Sequence, residues 1–208
     1  MRPFNGIKTQ DIAILLKLVA LGDSPWRHID IAGALGLSQT KISFALDRCL
    51  TAGFIDTDKK TVIKPALAEF LLHGLKYVFP AKPGPICRGI PTAHSAPPLA
   101  RVIVATNEDH YVWASEGGRV RGQAIEPLCP KAAAAAKADT RFYELLALTD
   151  ALRSGRHREH ALAVRELEAR LNKAAQTAPK DGATDELPFD WHANGASPAK
   201  ASSPEPGP

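Results

Sequence analysis

Between Ile31 and Leu46 the chain reads IAGALGLSQTKISFAL, and this segment narrows its possible folds more than any other. Ala32 is small enough to sit where two helices touch. Gly36 can take the left-handed conformation that ends a helix, and Leu35 and Leu37 bracket the turn with apolar side chains. Ser38 then suits the N-cap of a second helix extending toward Gly53. From there Ile42, Leu46, Cys49 and Leu50 recur at helical spacing and define a buried face. Gln39, Thr40, Lys41, Ser43, Phe44 and Asp47 are left on the opposite, largely polar face.

Two helices meeting at such a turn have the spacing of a helix-turn-helix unit, whose second helix reads the DNA major groove. Lys41 favours that reading over mere packing. A helix shaped only by stability would place Glu or Gln three residues after Ser38, completing a capping box and complementing the helix dipole. A cation there costs a few tenths of a kcal/mol, and makes sense where a phosphate supplies the negative charge. The alternative is a helix pair used only for packing or dimerisation.

The flanking sequence extends the unit. Ile12, Leu15, Leu16 and Val19 predict an earlier amphipathic helix as its support. After Gly53, Phe54–Thr57 and Thr61–Lys64 read as two short strands joined by a turn at Asp58, Lys59 and Lys60, a wing with lysines at its tip. Pro65 suits the first position of a further helix containing Leu67, Phe70 and Leu71, interrupted near Gly74. This N-terminal third, residues 1–79, resembles the winged helix-turn-helix domains of bacterial transcriptional regulators, especially the MarR-like group, in which a phrase such as LGLSQT opens the recognition helix. The resemblance implies that Ser38 begins that helix, that Gln39, Thr40, Lys41, Ser43 and Phe44 form its major-groove face, and that Lys59 and Lys60 touch the DNA backbone or minor groove. Phe44 departs from the pattern, because such regulators often carry Arg or another polar residue after the equivalent of Ser43. Phe44 offers only apolar contact, to a thymine methyl or to a protein.

Composition supports this without proving it. Residues 1–175 hold 24 Lys and Arg against 17 Asp and Glu, net +7, and residues 176–208 hold 2 against 5, net −3, which together give the chain's +4. The body is thus more basic than the total suggests. The longest apolar run near the start, Ile12–Leu16, falls far short of the roughly 20 residues needed to span a bilayer, so a cytoplasmic protein is expected. Three cysteines, Cys49, Cys87 and Cys129, are odd in number and lack C-x-x-C spacing, which indicates neither a disulfide framework nor a zinc site. No cofactor is expected.

Residues 80–100 carry Pro80, Pro83, Pro85, Pro91, Pro97 and Pro98, predicting an extended connector whose Arg88–Ser95 stretch either lines a site or lies across the body. Arg101–Thr106, Tyr111–Ser115 and Arg119–Ala124 read as strands, the last two as a hairpin around Glu116, Gly117 and Gly118. Arg119, Arg121 and Gln123 then share one face, either solvated over an aromatic core or, with Tyr111 and Trp113, contacting nucleic acid. An alanine bridge, Ala132–Ala136, leads to two amphipathic helices that break near Gly155. The first buries Phe142, Leu145, Leu146, Leu148 and Leu152, and the second buries Ala161, Val164, Leu167 and Leu171. They either close over the N-terminal unit or pair with a second subunit. Between them, His157 and His160 lie in a charged run that reads as paired surface charge, with metal binding as an alternative. The tail 176–208 has the composition of a disordered segment, interrupted by Leu187-Pro188-Phe189-Asp190-Trp191, which could dock on a protein or on the basic body.

The expected fold is therefore α+β and mainly α: a winged unit (1–79), a connector (80–100), a β element with two helices (101–175) and a tail. No phosphate-binding glycine loop, nucleophile elbow or H-E-x-x-H motif occurs, so the function expected is not enzymatic. The leading expectation is a homodimeric regulator binding double-stranded DNA. An antitoxin-like regulator with a protein partner and a small enzyme with an ancillary winged domain are the alternatives.

Overall fold

The leucine and isoleucine repeat near the N-terminus becomes α1 (Thr9–Leu21) in a computed structural model that describes residues 5–103 and 110–173. Asp11 caps this helix by accepting the Lys8 N–H at 2.9 Å. α2 (His28–Leu35) and α3 (Gln39–Thr51) follow, joined by a short turn. Next, α4 (Lys64–Glu69) runs through a π turn at Phe70–Gly74 into α5 (Leu75–Val78). The break expected near Gly74 is thus a π bulge, and Pro65 occupies the second helical position rather than the first, after Lys64. The expected strands Phe54–Thr57 and Thr61–Lys64 reduce to one antiparallel bridge between Ile55 and Val62. Two bonds, Asp56 N–H to Thr61 O and Ile63 N–H to Phe54 O, flank that bridge, and Lys64 already belongs to α4.

The proline-rich stretch departs from the expected extended path in its second half, which coils into 3-10 turns at Ala93–Ser95 and Leu99–Arg101, but is extended in its first half, where it contributes β1 (Ile86–Pro91). It pairs antiparallel with β2 (Tyr111–Ala114), Gly89 opposite Ala114 and Pro91 opposite Val112. It also pairs antiparallel with β3 (Val120–Ala124), Ile86 opposite Gln123 and Arg88 opposite Arg121. The turn at Glu116–Gly118 forms, but β2 and β3 run parallel rather than as the expected hairpin, so the three strands close on one another. Closure this tight requires backbones to cross without side chains between them. A Cβ on Gly89 would overlap the Trp113 carbonyl, and one on Gly122 would overlap the His110 carbonyl. The strand expected over Arg101–Thr106 does not form where it is described. Leu99–Arg101 is a 3-10 turn, and 104–106 lie outside the described residues.

The alanine bridge is helical, as α6 (Pro130–Ala135) and a 3-10 turn at Ala136–Ala138. Asp139 accepts the Phe142 N–H at 3.0 Å and starts α7 (Thr140–Ser154). After Gly155 comes α8 (His157–Lys173). The residues expected to face the core in α7 do so, but Tyr143, Ala147, Thr149, Asp150 and Ala151 are buried as well. α7 is therefore a central helix covered on every side rather than an amphipathic one. α1 and the end of α5 pack on it, and α8 covers both α7 and α4, which answers the question of what this helical pair covers. In α8 Leu167 and Leu171 are buried as expected, whereas Val164 is half-buried and Ala161 exposed, because the buried face passes through Ala163, one residue before Val164.

A carboxylate sits inside this core. Asp150 accepts from Thr92 Oγ1 at 2.8 Å, Trp113 Nε1 at 2.6 Å and Arg153 at 2.7 Å. Arg153 also donates to the Phe79 carbonyl at 2.7 Å, so one network holds α7, the sheet and the exit of α5. Burial pushes the Asp150 carboxyl above its ordinary range, against the pull of Arg153, Thr92 and Trp113. Two further buried polar groups of the proline-rich stretch lie beside this network: Ser95 Oγ accepts the Tyr111 N–H at 2.9 Å, and His94 Nδ1 lies 3.7 Å from Glu159.

Asp150→Ala leaves Arg153, Trp113 and Thr92 buried without their acceptor. It should lower stability by about 3 to 5 kcal/mol, read as a fall in the urea midpoint. A second expectation concerns His160, where α8 faces α5. Partial burial and the nearby Lys76, His157 and His73 hold its pKa below 6.5. Below pH 6.5 the unfolded chain takes up a proton that the folded chain resists, so stability falls as pH drops through that value. Urea midpoints at pH 7.5 and 5.5 should differ more for the native chain than for His160→Gln; an equal difference would remove this assignment.

Candidate nucleic-acid interface

The turn between α2 and α3 forms as its sequence dictates. Gly36 takes φ 62°, ψ 33°, and the Leu37 N–H bonds back to the Ala32 carbonyl at 2.9 Å, which closes the end of α2. Ser38 caps α3 by accepting the Lys41 N–H at 3.3 Å. Ile31, Ala32, Leu35, Ile42, Leu46 and Cys49 are buried, and Leu50 and Leu37 are partly so. Burial pushes the Cys49 thiol up to about 12, so this cysteine is an inert part of the core.

On the outer face, Ser38, Gln39, Thr40 and Lys41 are exposed together in the first turn of α3. Ser43 is half-buried, and Phe44 is 36% exposed, one turn further along. Asp47 receives the ammonium of Lys59 at 2.6 Å, which ties the β-bridged loop to the middle of α3. Lys59 itself takes a positive φ of 56°, closing the turn by donating its N–H to the Asp56 carbonyl at 2.8 Å. Asp58 accepts the N–H groups of Lys60 and Thr61 and the Thr61 hydroxyl, bonds that hold its carboxyl below the ordinary range. Lys60 stays exposed at the loop tip, and neither it nor Lys41 makes a salt bridge among the described residues. The structure thus brings Gln39, Thr40 and Lys41 together and separates the two loop lysines, one turned inward to α3 and one outward.

Three residues that position this face were not picked out by sequence. Asp11 is fully buried and binds the Arg48 guanidinium through both oxygens, at 2.7 and 2.6 Å. This fork locks the last turn of α3 to the first turn of α1. From the other side, Lys131 on α6 donates to the Gly36 carbonyl at 2.6 Å, so the C-terminal part of the chain caps the end of α2. Asp11 carries a visible sign as an acidic residue opening a helix, and Arg48 as a basic residue in the last turn of one. Their pairing across 37 positions does not. The aromatic pair suggested for stacking beside Arg119 and Arg121 is excluded from that role, because Tyr111 and Trp113 are buried. Among the described residues no cluster of three His, Cys, Asp or Glu side chains is arranged to hold a metal ion, and no helix is long and apolar enough to cross a membrane.

Arg48→Met should leave Asp11 as a buried charge without its partner and destabilise the chain by about 3 kcal/mol, measured by chemical unfolding. A loss under about 1 kcal/mol would mean that the fork does not hold α3.

Comparison with protein-family models, with curated proteins and with solved structures finds no match to this chain.

Proposed function

We propose that the chain is a sequence-specific regulator of transcription that binds double-stranded DNA, with α1–α3 and the following bridged loop acting as a winged helix-turn-helix. The observation that carries this reading is the first turn of α3, where Gln39, Thr40 and Lys41 project together at the positive end of a capped and anchored helix. Side-chain amide, hydroxyl and ammonium are the groups that read base edges and grip phosphate. Rigid placement matters as much as chemistry, since a contact to a base edge needs a fixed helix. The Asp11–Arg48 fork and the Lys131 cap supply that rigidity.

In this proposal Gln39 reads a base edge, Lys41 binds phosphate at the helix start and Lys60 reaches the backbone from the loop. Phe44 packs on a thymine methyl, and Lys59 positions the loop through Asp47 rather than contacting DNA. A homodimer would match two-fold half-sites, with light scattering in the presence of DNA as its check.

The test starts with selection from a duplex pool with a random centre, which should enrich one sequence. On that sequence Lys41→Ala should weaken binding and reduce the slope of log affinity against log salt by about one, without changing sequence preference. Gln39→Ala should instead change preference at one base pair, by roughly 1 to 3 kcal/mol of discrimination. No enrichment, or an unchanged affinity and salt slope in Lys41→Ala, would overturn the assignment.

A further inference from the structure

The closed sheet presents an unusual pair on its outer surface. Arg88 on β1 stands directly opposite Arg121 on β3, and both are exposed. Like charges facing one another across an antiparallel pair destabilise it. Among the described residues neither guanidinium makes a salt bridge. On the same face, two residues from Arg88, lies Ile86, an isoleucine 55% exposed and opposite Gln123. The face thus combines two adjacent cations with an apolar neighbour, and asks for an anionic ligand that also carries apolar groups.

The chain contains such a ligand. Asp185-Glu186-Leu187-Pro188-Phe189-Asp190-Trp191 interleaves three carboxylates with Leu, Phe and Trp, within a tail of net charge −3. We propose that this segment docks on the Arg88–Arg121 face, its carboxylates between the two guanidiniums and its apolar side chains on Ile86. Covalent reach allows it. α8 runs back along α7 until Arg170 meets Glu144 at 2.9 Å, and the next residue, Tyr143, donates to the Pro91 carbonyl at the end of β1 at 2.7 Å. The last turn of α8 is therefore linked to the end of β1 through two adjacent residues of α7. Residues 174–184, at about 3.3–3.6 Å each when extended, span well over the length of that strand. A tethered segment also acts at an effective concentration of about millimolar, so a modest intrinsic affinity keeps the face occupied. Docking there does not depend on the DNA-binding proposal, which concerns α3.

The experiment uses full-length chains and a fluorescein-labelled peptide spanning residues 183–193. A chain carrying Phe189→Ala and Trp191→Ala has its own segment disabled, and should bind the peptide saturably by fluorescence anisotropy. Adding Arg88→Glu or Arg121→Glu to that chain should weaken binding at least tenfold. The unaltered chain should also bind the added peptide at least tenfold more weakly, because its own segment holds the face. Folding is checked in the same variants: Arg88→Glu places opposite charges across the strand pair, and in the tail-disabled chain should raise the melting temperature by roughly 1 to 3 °C. No saturable binding, or equal affinity with and without the arginine changes, overturns the proposal. Loss of affinity for a DNA duplex in Arg88→Glu without any peptide binding overturns it in favour of a phosphate backbone as the ligand.

Discussion

The burial of Asp150 organises the molecule. A carboxylate inside an apolar core is tolerable only when its oxygens are fully bonded, and here the bonds come from parts of the chain far apart in sequence. Thr92 stands 58 positions away and Trp113 stands 37 away. Satisfying one side chain thus fixes the proline-rich stretch and β2 against α7, and Arg153 extends the same network to the end of α5. Those hydrogen bonds are directional. They set one arrangement of the sheet and helix where apolar packing alone would accept several.

A second buried carboxylate performs a similar task at the other end. Asp11 caps α1 with one oxygen and grips Arg48 with both, so the start of the first helix dictates the orientation of the third. α1 also packs on α7, and Lys17 reaches Asp139, the cap of α7, at 2.6 Å. The proposed reading helix is therefore mounted on the central helix through α1, and Lys131 adds a strut from α6. This continuity gives the C-terminal half a physical route to the α2–α3 turn.

Much of the α1–α3 unit was legible in the sequence because its signals are local. Gly36 ends a helix because it alone at that place accepts a positive φ without strain, and Ser38 caps the next because its hydroxyl reaches a free N–H three residues on. The face of Gln39, Thr40 and Lys41 follows from the 3.6-residue period. The loop after Gly53 was less legible. Its strands shrink to a single bridge because the Asp56 and Asp58 carboxylates accept the N–H groups of Thr57, Lys60 and Thr61, local bonds that compete with a ladder.

Sequence by itself determined the turn at Gly36, the Ser38 cap and the polar first turn of α3, since each depends on residues within one or two turns of one another. Tertiary structure decided the rest. A hairpin signal around Gly117 could not reveal that β2 and β3 run parallel, because β1, an earlier strand, pairs antiparallel with both and so gives them one direction. The amphipathic pattern of α7 could not show that its polar face is also buried, since Asp150 reads as solvent-facing until Thr92 and Trp113 arrive from elsewhere, while Thr149 is buried with its hydroxyl donating back to the Leu145 carbonyl. Nor could spacing place Arg88 opposite Arg121, a juxtaposition that exists only once the register of two distant strands is set. Local chemistry decides which segments become helices; only long-range satisfaction of buried polar groups decides how they are held.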